Sequence, residues 1–221
     1  MLSADQYAVL FDLDGVIVDS KEAHFLAFKQ LGEEVGYPFT RETFTKIFGR
    51  HNNDIFPILF GHPLPQERID ELGDRKEAIV RDLIRGHVEP LPGVATLIPA
   101  LRAAGFHLAI GTSTPLANVE LILGELGLRN YFQVIVSAED VTRGKPNPQV
   151  FLLGAERLGI PPACCVVVED AVAGVQAAHN GGMKALAVTT NHSREALSRA
   201  ECVVDSLEEV GPADFLALLE C

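Results

Sequence analysis

Asp12-Leu13-Asp14-Gly15 sets two carboxylates two residues apart at the end of the apolar run Ala8-Val9-Leu10-Phe11. A run that is hydrophobic without alternation reads as a strand buried on both faces of a parallel sheet. Residues i and i+2 of an extended segment share a side, so Asp12 and Asp14 project together, and Gly15 permits a sharp turn just beyond them. Carboxylates that close repel. A divalent cation between them relieves the repulsion, or one carboxyl holds a proton near neutral pH, and either outcome suits catalysis. An isolated Asp-x-Asp also serves helix caps and turns, so the rest of the chain must decide between these uses.

Three other segments carry chemistry at the end of a strand or in the loop that follows. Thr112-Ser113-Thr114 closes the run His107–Gly111, and its hydroxyls and turn amides suit a phosphate oxygen, although Ser and Thr after a strand are ordinarily helix caps. Lys145 lies in Arg143-Gly144-Lys145-Pro146-Asn147-Pro148, where Pro146 cannot extend a helix and keeps the lysine in an extended loop. Cys164–Val168 runs into Glu169-Asp170, a second acidic pair on a buried strand. Burying these carboxylates beside Asp12 and Asp14 requires a cation to offset the repulsion.

The elements that must position these residues alternate. Beyond Ala8–Phe11, strands are expected at His107–Thr112, Val134–Val136, Cys164–Glu169, Lys184–Val188 and Cys202–Val204, with intervening helices ending at glycines such as Gly105, Gly127 and Gly159. That pattern predicts an α/β fold: a doubly wound, mainly parallel Rossmann-like sheet. Residues 20–88 carry no strand signal. His24, Ala27, Phe28, Leu31 and Val35 mark one face of a helix ended by Gly36, and Ile69, Leu72, Lys76, Ile79, Val80 and Leu83 mark a second that stops at Gly86. Residues 40–61 form a shorter helical region between them. The expected organisation is a catalytic core of 1–18 and 89–221 interrupted by an all-helical cap, 19–88, inserted after the first strand. Its two ends would be hinges, and its closure would exclude water from the acidic cluster.

Composition narrows the function classes. A chain of 221 residues with 48% hydrophobic content holds a sizeable core. A formal net charge of −12 argues against nucleic acid or an anionic membrane surface as partner. The first residues lack the basic start and apolar run of a signal peptide, and no stretch has the length to span a bilayer, so the cytoplasm is the expected compartment; a monomer is the expected state. Cys164, Cys165, Cys202 and Cys221 are not spaced as a zinc site or a disulfide framework, and the first three read as small buried hydrophobes. Asn191-His192-Ser193 is a glycosylation sequon of no consequence in that compartment.

Asp-x-Asp, a hydroxyl, a lysine and Glu-Asp, in that order, resemble the motifs of the haloacid dehalogenase-like hydrolase superfamily, and the resemblance covers nearly the whole chain. Asp12–Asp19 is similar to its first motif, Thr112 to its second, Lys145 to its third and Glu169-Asp170 to its fourth. The helical insertion, with Phe11–Gly15 and Val168–Gly174, resembles the branch of sugar-phosphate phosphatases and beta-phosphoglucomutases. The resemblance implies an Mg²⁺-dependent phosphatase acting on a small phosphorylated metabolite, a sugar phosphate or phosphoglycolate-like phosphomonoester. Asp12 would be the nucleophile that forms an aspartyl-phosphate, and Asp14 the acid and base. Mg²⁺ would be held by Asp12, Asp170 and the Asp14 carbonyl, while Glu169 orients water on the metal. Lys145 would balance charge, and Thr112 and Ser113 would donate to phosphate oxygens.

Substrate choice is expected to lie in the cap. His24 and Lys76 sit on apolar helix faces, where a core histidine and a lysine stem laid along apolar surface are the plain accounts. Beside a phosphate site either would reach substrate, as would Arg50 in Gly49-Arg50-His51-Asn52. The alternative is a phosphosugar mutase. Mutases of the branch carry an arginine three residues after the loop glycine, a position occupied here by Asn52, and asparagine clamps a distal phosphate poorly. A non-enzymatic phospho-acceptor module of the receiver type uses similar residues, but it is shorter, has no cap and carries its acidic pair and acceptor in the reverse order.

Overall fold

In the computed structural model, residues 6–37, 39–47 and 52–219 are described, with residues 52–54 described by backbone alone. Arg50 therefore lies outside the described residues, as do His51 and Cys221, and of Asn52 only the backbone is described. The chain divides into two compact units, residues 1–19 with 89–221 and residues 20–88.

Among the described residues, the first unit is built on six parallel strands: β1 (Ala8–Phe11), β2 (His107–Gly111), β3 (Val134–Val136), β4 (Cys165–Glu169), β5 (Lys184–Val188) and β6 (Cys202–Val204). Their order across the sheet is β3-β2-β1-β4-β5-β6. Every residue of β1 is fully buried, as its unbroken apolar run requires. The chain steps outward on one side of β1 and returns to the other, so strand order reverses between β1 and β4. In open α/β sheets ligands bind beyond the carboxyl ends of the strands at such a point. Successive side chains of a strand alternate between faces, and Ala8 and Leu10 join Phe151, Ala155, Val175 and Ala178 in one core cluster. Those partners come from the helices Gln149–Leu158 and Val172–Asn180. Cys164 ends a short 3-10 turn and β4 begins one residue later. Of the cysteines read as buried, only Cys165 is, and burial followed by its neighbour Cys164 pushes its thiol up to about 12. Cys164 and Cys202 are partly exposed.

Among the described residues, the regular structure of the second unit is helical: α1 (Lys21–Val35), α2 (Arg41–Ile47), α3 (Asn52–Phe60) and α4 (Gln66–Ile84). Phe28 and Leu31 of α1 meet Ile69, Leu72, Ile79 and Val80 of α4 in its core, joined by Phe44, Ile47 and Phe56. These are the apolar positions at helical spacing, which bury one stripe of each helix. Among the described residues no helix is long and apolar enough to cross a membrane.

Candidate active site

The site grows out of the register of β1 and β4. Phe11 pairs with Val168 and the Asp12 amide donates to the Val168 carbonyl at 3.0 Å, so the ladder continues one residue beyond β1. This sets Asp12 level with the end of β4, where Glu169 and Asp170 follow. Gly15, at φ +84°, then turns the chain, and its amide donates to the Val18 carbonyl at 2.7 Å. A left-handed φ is a conformation that glycine adopts at no steric cost.

Lys145 joins the two acidic pairs. Its Nζ lies 3.0 Å from Asp12 Oδ1 and donates to Glu169 Oε1 at 2.5 Å, with only 7% of the side chain exposed. The loop that delivers it is closed by local bonds: the Thr142 and Arg143 amides donate to Gln149 Oε1 at 3.0 and 3.2 Å, and Asn180 Nδ2 donates to the Pro146 carbonyl at 2.9 Å. Glu169 is fully buried and fully engaged, because its Oε2 accepts the amides of Asp170 and Ala171, both at 3.0 Å. Room for it exists because residue 174 is glycine, where a Cβ would overlap the Glu169 carboxylate.

Thr112 is buried at the end of β2, and its amide continues the ladder to the Val136 carbonyl at 3.0 Å. Its Oγ1 accepts the Thr114 amide at 3.2 Å, an acceptor role that leaves the hydroxyl proton to donate elsewhere. Ser113 is partly exposed beside it. The Thr114 hydroxyl donates to Asp14 Oδ2, a partner that sequence alone does not suggest. Two more residues were missed. Asn191 Nδ2 donates to Asp170 Oδ2 at 2.7 Å, and His192 Nδ1 lies 3.0 Å from the Asp170 carbonyl. The available signal was position, since both lie in the loop after β5, on the same carboxyl edge.

In the helical unit, His24 is buried on α1 and Lys76 on α4. Lys76 Nζ donates to Glu77 Oε1 at 2.6 Å and lies 4.9 Å from the centre of the Phe28 ring, so its charge is balanced within the unit.

Oxygen ligands from Asp12, Glu169 and Asp170 all lie within 4.8 Å of one another. Asp12 Oδ1 is buried with the Lys145 ammonium at ion-pair distance, and among the described residues it accepts no hydrogen bond of good geometry. A buried carboxylate oxygen short of donors, within an all-oxygen set, fits a hard divalent cation such as Mg²⁺. The electrostatics agree. Burial pushes the Asp12 carboxyl up to about 7, against the attraction of Lys145 and with help from Glu169 and Asp14. Burial, then Glu169 and Asp12, push Asp170 up to about 8. Burial alone would lower the Lys145 ammonium, but Asp12 and Glu169 outweigh it and hold it above its usual value.

These shifts carry a sign. A carboxyl raised in the folded state is protonated there while the unfolded chain is already ionised, so stability falls as pH rises from about 4 towards 8. A cation competing for the same oxygens restores what the ionised pair loses. The melting temperature gained on adding Mg²⁺ is therefore expected to grow steadily from pH 5.5 to 8.5. Thermal shift assays across that range check it, and a gain independent of pH contradicts the coupling.

A family model described as haloacid dehalogenase-like hydrolase matches residues 9–188. The chain is 35% identical over 191 residues to the fructose-1-phosphate phosphatase YqaB of Escherichia coli strain K12, covering 83% of this chain and 97% of that one. It is 34% identical over 189 residues to the beta-phosphoglucomutase of Bacillus subtilis strain 168, covering 82% of each. Among solved structures, CbbY from Rhodobacter sphaeroides in complex with phosphate superimposes with a TM-score of 0.86 at 28% identity, over 96% of this chain and 99% of that one.

Proposed function

The chain belongs to the haloacid dehalogenase-like hydrolase family, and from that premise we propose that it is an Mg²⁺-dependent phosphatase. Its substrate would be a small phosphorylated metabolite, a sugar phosphate or phosphoglycolate-like monoester, hydrolysed through an aspartyl-phosphate on Asp12. The observation that carries this reading is Lys145 fixed by Glu169 at 2.5 Å and thereby kept 3.0 Å from Asp12 Oδ1. A cation anchored beside a buried carboxylate at a strand tip supports attack on an anion.

Asp12 attacks phosphorus, and the bond from phosphorus to the ester oxygen breaks as Asp14 gives that oxygen its proton. Asp14 then takes a proton from the water that attacks the aspartyl-phosphate, which returns Asp12 as carboxylate and releases phosphate. The Thr114 hydroxyl, a donor to Asp14 Oδ2, fixes the orientation of that acid and base. Thr112 and Ser113 donate to the phosphoryl oxygens, and Lys145 offsets their charge. Held by Asp12, Asp170 and the Asp14 carbonyl, Mg²⁺ would supply the charge that lets a carboxylate approach a phosphate dianion. Glu169, whose two oxygens already hold Lys145 and two amides, suits the task of fixing Lys145 better than that of orienting water.

Residues 20–88 would act as the cap, with His24, Arg50, Asn52 and Lys76 as the candidates that tune selectivity. The relatives include a mutase, and Asn52 is the residue that favours water over sugar as acceptor. A mutase must hold a bisphosphorylated intermediate as it turns over, and a bidentate arginine does that far better than asparagine. The enzyme is expected to release inorganic phosphate from a panel of phosphorylated sugars with Mg²⁺. When it is given beta-glucose 1-phosphate and a trace of the 1,6-bisphosphate, phosphorus NMR separates the outcomes. Faster accumulation of glucose 6-phosphate than of inorganic phosphate would replace the phosphatase reading by the mutase.

A further inference from the structure

The loop after β5, Thr189-Thr190-Asn191-His192, has no part in the reaction above, yet two of its side chains end on Asp170. Asn191 Nδ2 donates to Asp170 Oδ2 at 2.7 Å. His192 Nδ1 meets the Asp170 carbonyl at 3.0 Å, and because a carbonyl only accepts, that nitrogen carries the proton. The chain packs tightly around the first of these bonds. A Cβ at residue 15 would collide with both Asp170 Oδ2 and Asn191 Nδ2, so the turn leaving β1 lies directly on the hydrogen bond. Asp170 is thus held at its carboxylate by Asn191 and at its backbone by His192, while its neighbour Glu169 is spent on Lys145 and two amides.

We infer that Asn191 is a positioning residue for the metal site: by occupying Oδ2 it fixes the Asp170 carboxylate so that its other oxygen is presented to Mg²⁺. This rests on the metal-dependent reading above. The amide suits the task because it donates without adding charge to a cluster already rich in carboxylates. An aspartate there would accept instead of donate and would add to the repulsion.

The test is calorimetric titration of Mg²⁺ into the metal-free full-length protein, with the fold of each variant checked by circular dichroism. Partners that orient metal ligands typically contribute about 10–100-fold in affinity. Asn191→Ala is expected to weaken Mg²⁺ binding by about that factor, and Asn191→Leu, which fills the space but cannot donate, by a similar one. In turnover the Mg²⁺ concentration for half-maximal rate should rise while kcat at saturating Mg²⁺ is largely kept, a split that general loosening of the fold would not give. If Asp170→Asn loses Mg²⁺ binding while both Asn191 variants bind as tightly as wild type, the inference is overturned and the metal reading stands. If wild type binds no Mg²⁺, or Asp170→Asn binds it unchanged, the metal reading falls and the inference falls with it.

Discussion

Asp12→Asn is expected to fold normally and to release phosphate at least about 10⁴-fold more slowly than wild type, the scale of loss seen when a nucleophile is removed. The side chain keeps its shape and its place on the ladder beside Val168, so positioning survives while the attacking anion does not. The amide also removes a carboxylate that burial already disfavours as an ion. Metal-free Asp12→Asn should therefore melt no lower than wild type at pH 8, which separates loss of chemistry from loss of fold. Single-turnover phosphate release with the best substrate of the panel is the measurement. Activity within tenfold of wild type would end the assignment of Asp12 as nucleophile.

Lys145→Met should have the largest effect on stability. The ammonium is nearly enclosed between Asp12 and Glu169, and removing one partner from a buried ionic cluster costs about 3–5 kcal/mol, because the remaining charges lose their compensation. Urea unfolding at pH 7.5 without metal should show a lower midpoint with an unchanged slope. Adding Glu169→Gln to the same variant should recover part of the loss, since the uncompensated carboxylate is then gone. Turnover should fall in Lys145→Met even at saturating Mg²⁺. A variant as stable as wild type would show that the lysine does not hold the two acidic pairs together.

Much of this site was legible because its framework is written in local pattern. Largely apolar runs marked Val134–Val136, Lys184–Val188 and Cys202–Val204 to the residue, and carboxylates at the ends of two other such runs pointed to the carboxyl edge of the sheet. The helical faces of α1 and α4 were equally plain, except at Leu83, which lies exposed instead of in the core. What stayed hidden depends on which strands become neighbours. Thr114 bonds Asp14, a hundred residues away in sequence, and nothing local in a threonine says whether its hydroxyl will meet a phosphate or a carboxylate. Asn191 and His192 read as part of a sequon because the adjacency of β5 and β4 is a property of the sheet order. Lys76 was placed correctly on an apolar face, but its partner was not foreseen, since adjacent helical residues do not ordinarily face one another.

The segments leaving and re-entering the sheet unit run side by side. Val18 bridges Pro90, and the Leu91 amide donates to the Ile17 carbonyl at 2.9 Å. Whatever lies between is, for the sheet, a loop whose ends the sheet itself clasps, and the entropy of closing such a loop rises only with the logarithm of its length. The junction is thus a splice point. A longer helical module, a different one or a short turn could be grafted between residues 19 and 89 at little cost to the strands beneath. New recognition surfaces can be acquired there while the carboxylates, lysine and threonines keep their arrangement.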